Sequence, residues 1–107
     1  MARPDFRFRS EISNIRNNGQ LYRGHWVHVR IGQSNLSQTL ISVRKKFGNA
    51  VSRNHIRRQI RSLCRECIPN GHPGQLLIIS VGDNSLGVSF SELRQDLSCA
   101  FEVLHLI

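Results

Sequence analysis

The stretch that most limits the architecture of this chain is Gln75–Val81, QLLIISV, a continuous apolar run. A strand of this composition suits the centre of a sheet, buried on both faces. It follows Pro69-Asn70-Gly71-His72-Pro73-Gly74, a loop on turn chemistry alone. Before that loop lies an amphipathic helix, so strand, helix and strand are joined by a long crossover, which suggests parallel pairing. With 107 residues, 39% of them hydrophobic, one domain with one core is expected over 1–107.

The helix is expected from Ala50 to about Ile68, with Asn49 as its N-cap after Gly48. At roughly 100° per residue, Ile56, Ile60, Leu63, Cys64 and Cys67 fall on one side. Arg53, Asn54, Arg57, Arg58, Arg61 and Arg65 fall on the other. Arg53, Arg57, Arg61 and Arg65 are spaced by four, and like charges at that spacing repel. A phosphate lattice is the simplest partner that reverses the cost. Segment 44–65 carries eight of the fifteen Lys and Arg and no acid. The net charge of +8 and pI near 11 point to an anionic partner, nucleic acid before an acidic membrane surface.

The remaining elements read as follows. Residues 1–8 are basic and expected to be flexible, with Pro4 keeping residue 3 extended. Ser10 caps a short helix over 11–18, stopped by Asn18-Gly19. Leu21–Ile31 reads as a strand with Val27, Val29 and Ile31 on one face and Trp26, His28 and Arg30 on the other. Gly32–Gln38 is a turn. Thr39–Lys45 is a second strand, antiparallel to the first, with Ile41 and Val43 inward and Leu40, Ser42 and Arg44 outward. Ser89 and Glu92 form a capping box for a last helix whose core face is Phe90, Leu93, Leu97, Phe101 and Leu104.

A self-contained protein active site is hard to assemble from these residues. The seven acids are scattered, and no pair has metal-ligand spacing. His25 and His28 form an acid–base pair only if both reach RNA; the alternative is two ordinary strand residues. Cys64-x-x-Cys67 is half a zinc motif without a second half, so buried small hydrophobes are the simpler reading. Three cysteines, no apolar leader and no membrane-length apolar window favour a reducing, cytoplasmic setting. Nucleic-acid binding fits better. Five neutralised phosphates give a log K against log salt slope of about −3.5 to −4.5. Trp26, His28 and Arg30 could stack on or grip a single strand. Composition does not separate RNA from DNA, and a ribosomal or other structural RNA-binding protein is an alternative.

At Lys45-Lys46-Phe47-Gly48-Asn49-Ala50-Val51-Ser52-Arg53-Asn54-His55-Ile56-Arg57-Arg58-Gln59-Ile60-Arg61 the chain resembles the protein subunit of bacterial ribonuclease P. Every fixed position of that family's K-x-G-N-A-V-x-R-N-x-x-[KR]-R-x-x-R signature is present. Glu11, Ile15 and Gly19 match its first helix, LLIIS its last strand, and Ser89-Phe90-x-Glu92-Leu93 with Asp96-Leu97 its final helix. The resemblance implies an α+β two-layer sandwich in the order α-β-β-(β)-α-β-α. Its sheet is mixed, mostly antiparallel, with about four strands. It also implies a left-handed crossover around the basic helix, where general rules favour a right-handed one.

The function implied is removal of the 5′ leader from precursor tRNA by a catalytic RNA. Mg²⁺ would be held mainly by that RNA, no catalytic residue by the protein, and neither a membrane nor a stable protein partner is implied. Lys45, Lys46, Asn49, Arg53, Asn54, Arg57, Arg58, Arg61 and Arg65 would meet the catalytic RNA. Ile12, Arg16, Trp26, His28, Arg30, Ser42 and Arg44 would line the leader cleft. Two phenylalanines usual on the first helix align with Ile12 and Arg16, and a common tyrosine aligns with Arg30. The cleft is thus expected to hold the leader more through guanidinium groups, with Trp26 supplying stacking.

Overall fold

In the computed structural model, which describes residues 6–34 and 37–106, the apolar run forms an inner strand of a four-stranded sheet. The elements in chain order are α1 (Phe6–Asn18), β1 (Gln20–Arg23), β2 (Val27–Gln33), β3 (Thr39–Val43), α2 (Ala50–Cys67), β4 (Gln75–Val81) and α3 (Phe90–Val103). Short 3-10 turns occupy Lys45–Phe47 and Asp83–Ser85. Spatially the strands run β1-β2-β4-β3. β2 is antiparallel to β1 and β4, and β3 is parallel to β4. The mixed, mostly antiparallel α+β sheet is as expected.

Sequence neighbours β2 and β3 run antiparallel but do not pair, because β4 lies between them. The physical reason is β4 itself. Leu76, Leu77, Ile78 and Ile79 are all at most 3% exposed, and burial on both faces is available only inside the sheet.

Two apolar clusters sandwich that strand. On one face Val27, Val29, Ile31, Val43, Leu77, Ile79 and Val81 meet Ile56, Ile60 and Leu63 of α2 and Leu93, Leu97 and Phe101 of α3. These helices make the second layer of the sandwich. On the other face Ile15 of α1 packs on Leu76 and Ile78, with Ile12 and Leu40 at the margin. Gly32 makes this seat possible: a Cβ there would stand 2.8 Å from Ile15 Cγ1. α1 therefore covers only the part of the outer face near that glycine.

Several boundaries differ from the sequence reading. α1 already runs from Phe6, so Ser10 lies within the helix and residues 6–8 are helical. The expected flexibility of residues 1–5, Pro4 included, falls outside the described residues, as do residues 35–36 of the predicted turn. Gly32 and Gln33 belong to β2, not to a turn. The predicted Leu21–Ile31 strand is two strands joined at Gly24–Trp26, with Gly24 N–H donating to the Val27 carbonyl at 2.9 Å. The turn shifts the alternation by one residue: Tyr22 and Val29, which are paired, both face the helices. The residue pair Arg23 and His28 flanks the turn. In α3 the capping box is present, with Glu92 N–H donating to Ser89 Oγ at 3.1 Å. Phe90, expected in the core, remains 36% exposed with the Arg94 guanidinium 5.3 Å from its ring centre; Ala100 takes a core place instead.

Candidate RNA interface

α2 forms because a capped start is followed by an apolar stripe at helical spacing. Asn49 accepts from Ser52 N–H at 2.9 Å, a cap contributing about 1 kcal/mol. Ile56, Ile60 and Leu63 are at most 3% exposed, which fixes the opposite side toward solvent. Asn54, Arg58, Arg61 and Arg65 are exposed, while Arg53 and Arg57 are half-buried. Asn54, Arg57, Arg58, Arg61, Ser62 and Arg65 line a groove of about 540 Å³. Asn54 Oδ1 accepts from Arg57 at 3.2 Å and orients that guanidinium. Lys45 and Lys46 extend the basic surface from the preceding turn, and both are exposed.

The acid nearest in sequence does not neutralise this surface. Glu66 turns to α3 and pairs with Arg94 at 2.9 Å. Among the described residues no α2 arginine has a carboxylate partner, and Arg53 Nε is buried without a hydrogen bond. A buried donor without an acceptor is costly. Arg53 is thus an edge residue of the ridge, not a fully solvated one.

The second surface is the part of the sheet α1 leaves open. Residues paired across strands share a face. The pairings Arg23↔His28, His28↔Ser80 and Ser42↔Ser80 therefore form one polar row across β1, β2, β4 and β3. The next row, toward α1, is Leu21, Arg30, Ile78 and Leu40. Arg23, His28 and Ser42 are exposed; Arg30 and Ser80 are half-buried. Arg16 is exposed on α1, whereas Ile12 is partly buried against the apolar cluster beneath the helix. Arg44 follows β3, exposed, 3.5 Å from Asp83.

Trp26 does not join this row. It lies in the turn before β2 and packs against the helix-side cluster, its ring edge-on to His25 at 4.4 Å. With His25, Glu92, Gln95 and Cys99 it borders a hollow on the α3 side of the sheet. The expected alternation placed it with His28 and Arg30 because it carried the strand back through Trp26, which belongs to the turn. His25 and His28 are parted by the same turn. Two members of the polar row, Arg23 and Ser80, were not singled out from sequence; Gly24 was the available signal for Arg23, since a turn there pairs it with His28.

Cys64 and Cys67 pack against the main core. Burial, and then the nearby Cys67, push the Cys64 thiol up to about 11, so it stays protonated at neutral pH. Burial, followed by Asp96 and Cys99, also raises the Tyr22 hydroxyl. Among the described residues no three His, Cys, Asp or Glu side chains converge as a metal site. Nor is any described helix long and apolar enough to cross a membrane.

A cationic helix face and an open polar sheet face, on a small α+β scaffold, define a polyanion-binding protein. The family model for ribonuclease P matches residues 3–105. The ribonuclease P protein component of Chlamydia trachomatis serovar L2 is 36% identical over 92 residues, covering 83% of this chain and 75% of that protein. That of a Picosynechococcus species is 29% identical over 90 residues, covering 81% and 78%. The solved ribonuclease P protein of Staphylococcus aureus superposes with a TM-score of 0.77 at 21% identity, covering 91% of each chain. That of Thermotoga maritima gives 0.74 at 20%, covering 94% and 97%. The chain belongs to the ribonuclease P protein family. Membership implies an RNA partner within a ribonucleoprotein, and a ribosomal or other structural RNA-binding role is not favoured.

Proposed function

We propose that α2 docks the protein on the catalytic RNA of ribonuclease P and that the open polar row of the sheet receives the 5′ leader of precursor tRNA. The observation carrying this reading is the run of unneutralised arginines on one helix face, separated by the sheet from a second, smaller cationic surface. Lys45, Lys46, Asn54, Arg57, Arg58, Arg61 and Arg65 would meet phosphates and riboses, with Asn49 in its capping role. Arg16, Arg23, His28, Arg30, Ser42 and Arg44 would hold a single strand through charge and hydrogen bonds, since the tryptophan faces elsewhere.

The reaction is hydrolysis of one phosphodiester. Mg²⁺ would stabilise the transition-state charge and activate water. Its ligands would come mainly from the RNA. The protein's part is binding and orientation, which act on the effective concentration of the scissile bond. The working location is the cytoplasm, where such an RNA would be found.

The test is leader removal by RNA alone, protein alone and both at low Mg²⁺. Activity only, or far higher, with both supports the reading; cleavage by the protein alone, or no gain on mixing, overturns it.

A further inference from the structure

Asp96, one of the acids the sequence left without a role, is 8% exposed. Its Oδ1 accepts from His25 N–H at 3.1 Å, and its Oδ2 from Trp26 N–H at 2.8 Å and Val27 N–H at 3.0 Å. One carboxylate thus satisfies three consecutive amides some seventy residues away. Such charge-assisted bonds are among the stronger ones in proteins. Gly24 completes the seat, because a Cβ there would collide with both carboxylate oxygens. Ser85 adds a bond from Oγ to the Trp26 carbonyl at 2.7 Å. The turn is therefore held from the helix layer at several backbone atoms.

The residues on either side of this turn are Arg23 and His28, neighbours in the polar row on the opposite face. His28 is also paired with β4, but Arg23 ends the edge strand β1, which is held on one side only, and such an end frays without a clasp. We infer that Asp96 is a positioning residue for leader binding: from the helix side of the sheet it fixes the turn that sets the spacing of Arg23 and His28. This inference rests on the leader lying across that row. It adds a residue that touches no RNA.

The experiment uses the reconstituted ribonucleoprotein with Asp96→Asn and, separately, Gly24→Ala. The first replaces one acceptor oxygen with a donor facing amide N–H groups. The second removes no charge but pushes a methyl group into the carboxylate and against the Val27 carbonyl, so it loosens the same turn from both sides. Measured are affinity for the RNA subunit, affinity for precursor tRNA with and without its leader, and the amide NMR shifts of residues 23–28. Either variant should lower affinity for leader-bearing substrate about tenfold. RNA-subunit affinity and leaderless affinity should stay constant, while the shifts of Arg23 and His28 move.

Wild-type leader discrimination retained in both variants overturns the inference, as does an equal loss of RNA-subunit affinity, which marks a purely global stabiliser. If Asp96→Asn fails to fold, Gly24→Ala decides alone. A wild-type protein that does not distinguish leader-bearing from leaderless substrate overturns the leader reading instead, and the inference falls with it.

Discussion

The two cationic surfaces are built by different means. The α2 surface is a single helix: its apolar seam points into the core, and its arginines point out because 3.6-residue periodicity leaves them nowhere else to go. The open row takes one residue from each of four strands and needs the order β1-β2-β4-β3 to exist. One surface should therefore tolerate changes in tertiary packing, while the other should not. The first should also respond mainly to charge, the second to geometry.

The largest expected effect breaks the first surface. Arg57→Ala with Arg61→Ala should weaken binding to the catalytic RNA by about 100-fold, at roughly 1–1.5 kcal/mol per phosphate contact. It should also reduce the salt slope by about 1.5, read from binding isotherms at several salt concentrations. Circular dichroism should be unchanged; unfolding would mean that the helix faces are misassigned.

Next, Gly32→Ala forces a methyl against Ile15 and should cost on the order of 2 kcal/mol in denaturant unfolding. Leader affinity should fall through displacement of α1, with little change in docking on the RNA. Equal losses at both surfaces would erase the distinction drawn between them.

Arg16→Ala with Arg30→Ala should lower leader affinity about tenfold and flatten its salt slope by about 0.7 per contact. A slope left unchanged would remove these guanidinium groups from the leader site.

The smallest effect is on neither surface. The Cys64 thiol is held protonated in the fold, near 11 against 9.0 as its ordinary value. Between those values the folded state binds more protons than the unfolded one, so stability falls as pH rises. Thermal melts should drop across that window, and Cys64→Ala should flatten the drop by an amount on the order of 1 kcal/mol.

How much of this was legible in the sequence follows the same division. The helix, its Asn49 cap and its buried stripe follow from local periodicity and came through intact, and so did the arginine ridge except that Arg53 and Arg57 are half-buried. So did β4 and the capped start of α3. The single reading of residues 21–31 did not. It followed alternation across Gly24, and the energy holding that turn comes from Asp96, too distant in sequence for local pattern to register. Trp26 was misplaced because it is part of that turn and not of β2, and Arg23 was overlooked because the turn reverses which face it takes.

The sequence by itself determined that one helix would be cationic on one side and that one strand would be buried on both. Each is a property of residues near one another in the chain, set by backbone period and by the cost of leaving apolar groups in water. Only the tertiary structure decided that β4 parts β2 from β3, that α1 leaves a polar row open, and that a carboxylate from α3 holds the turn beside it. Those depend on which distant surfaces meet, and close packing and long-range hydrogen bonding decide that only once the whole chain is folded.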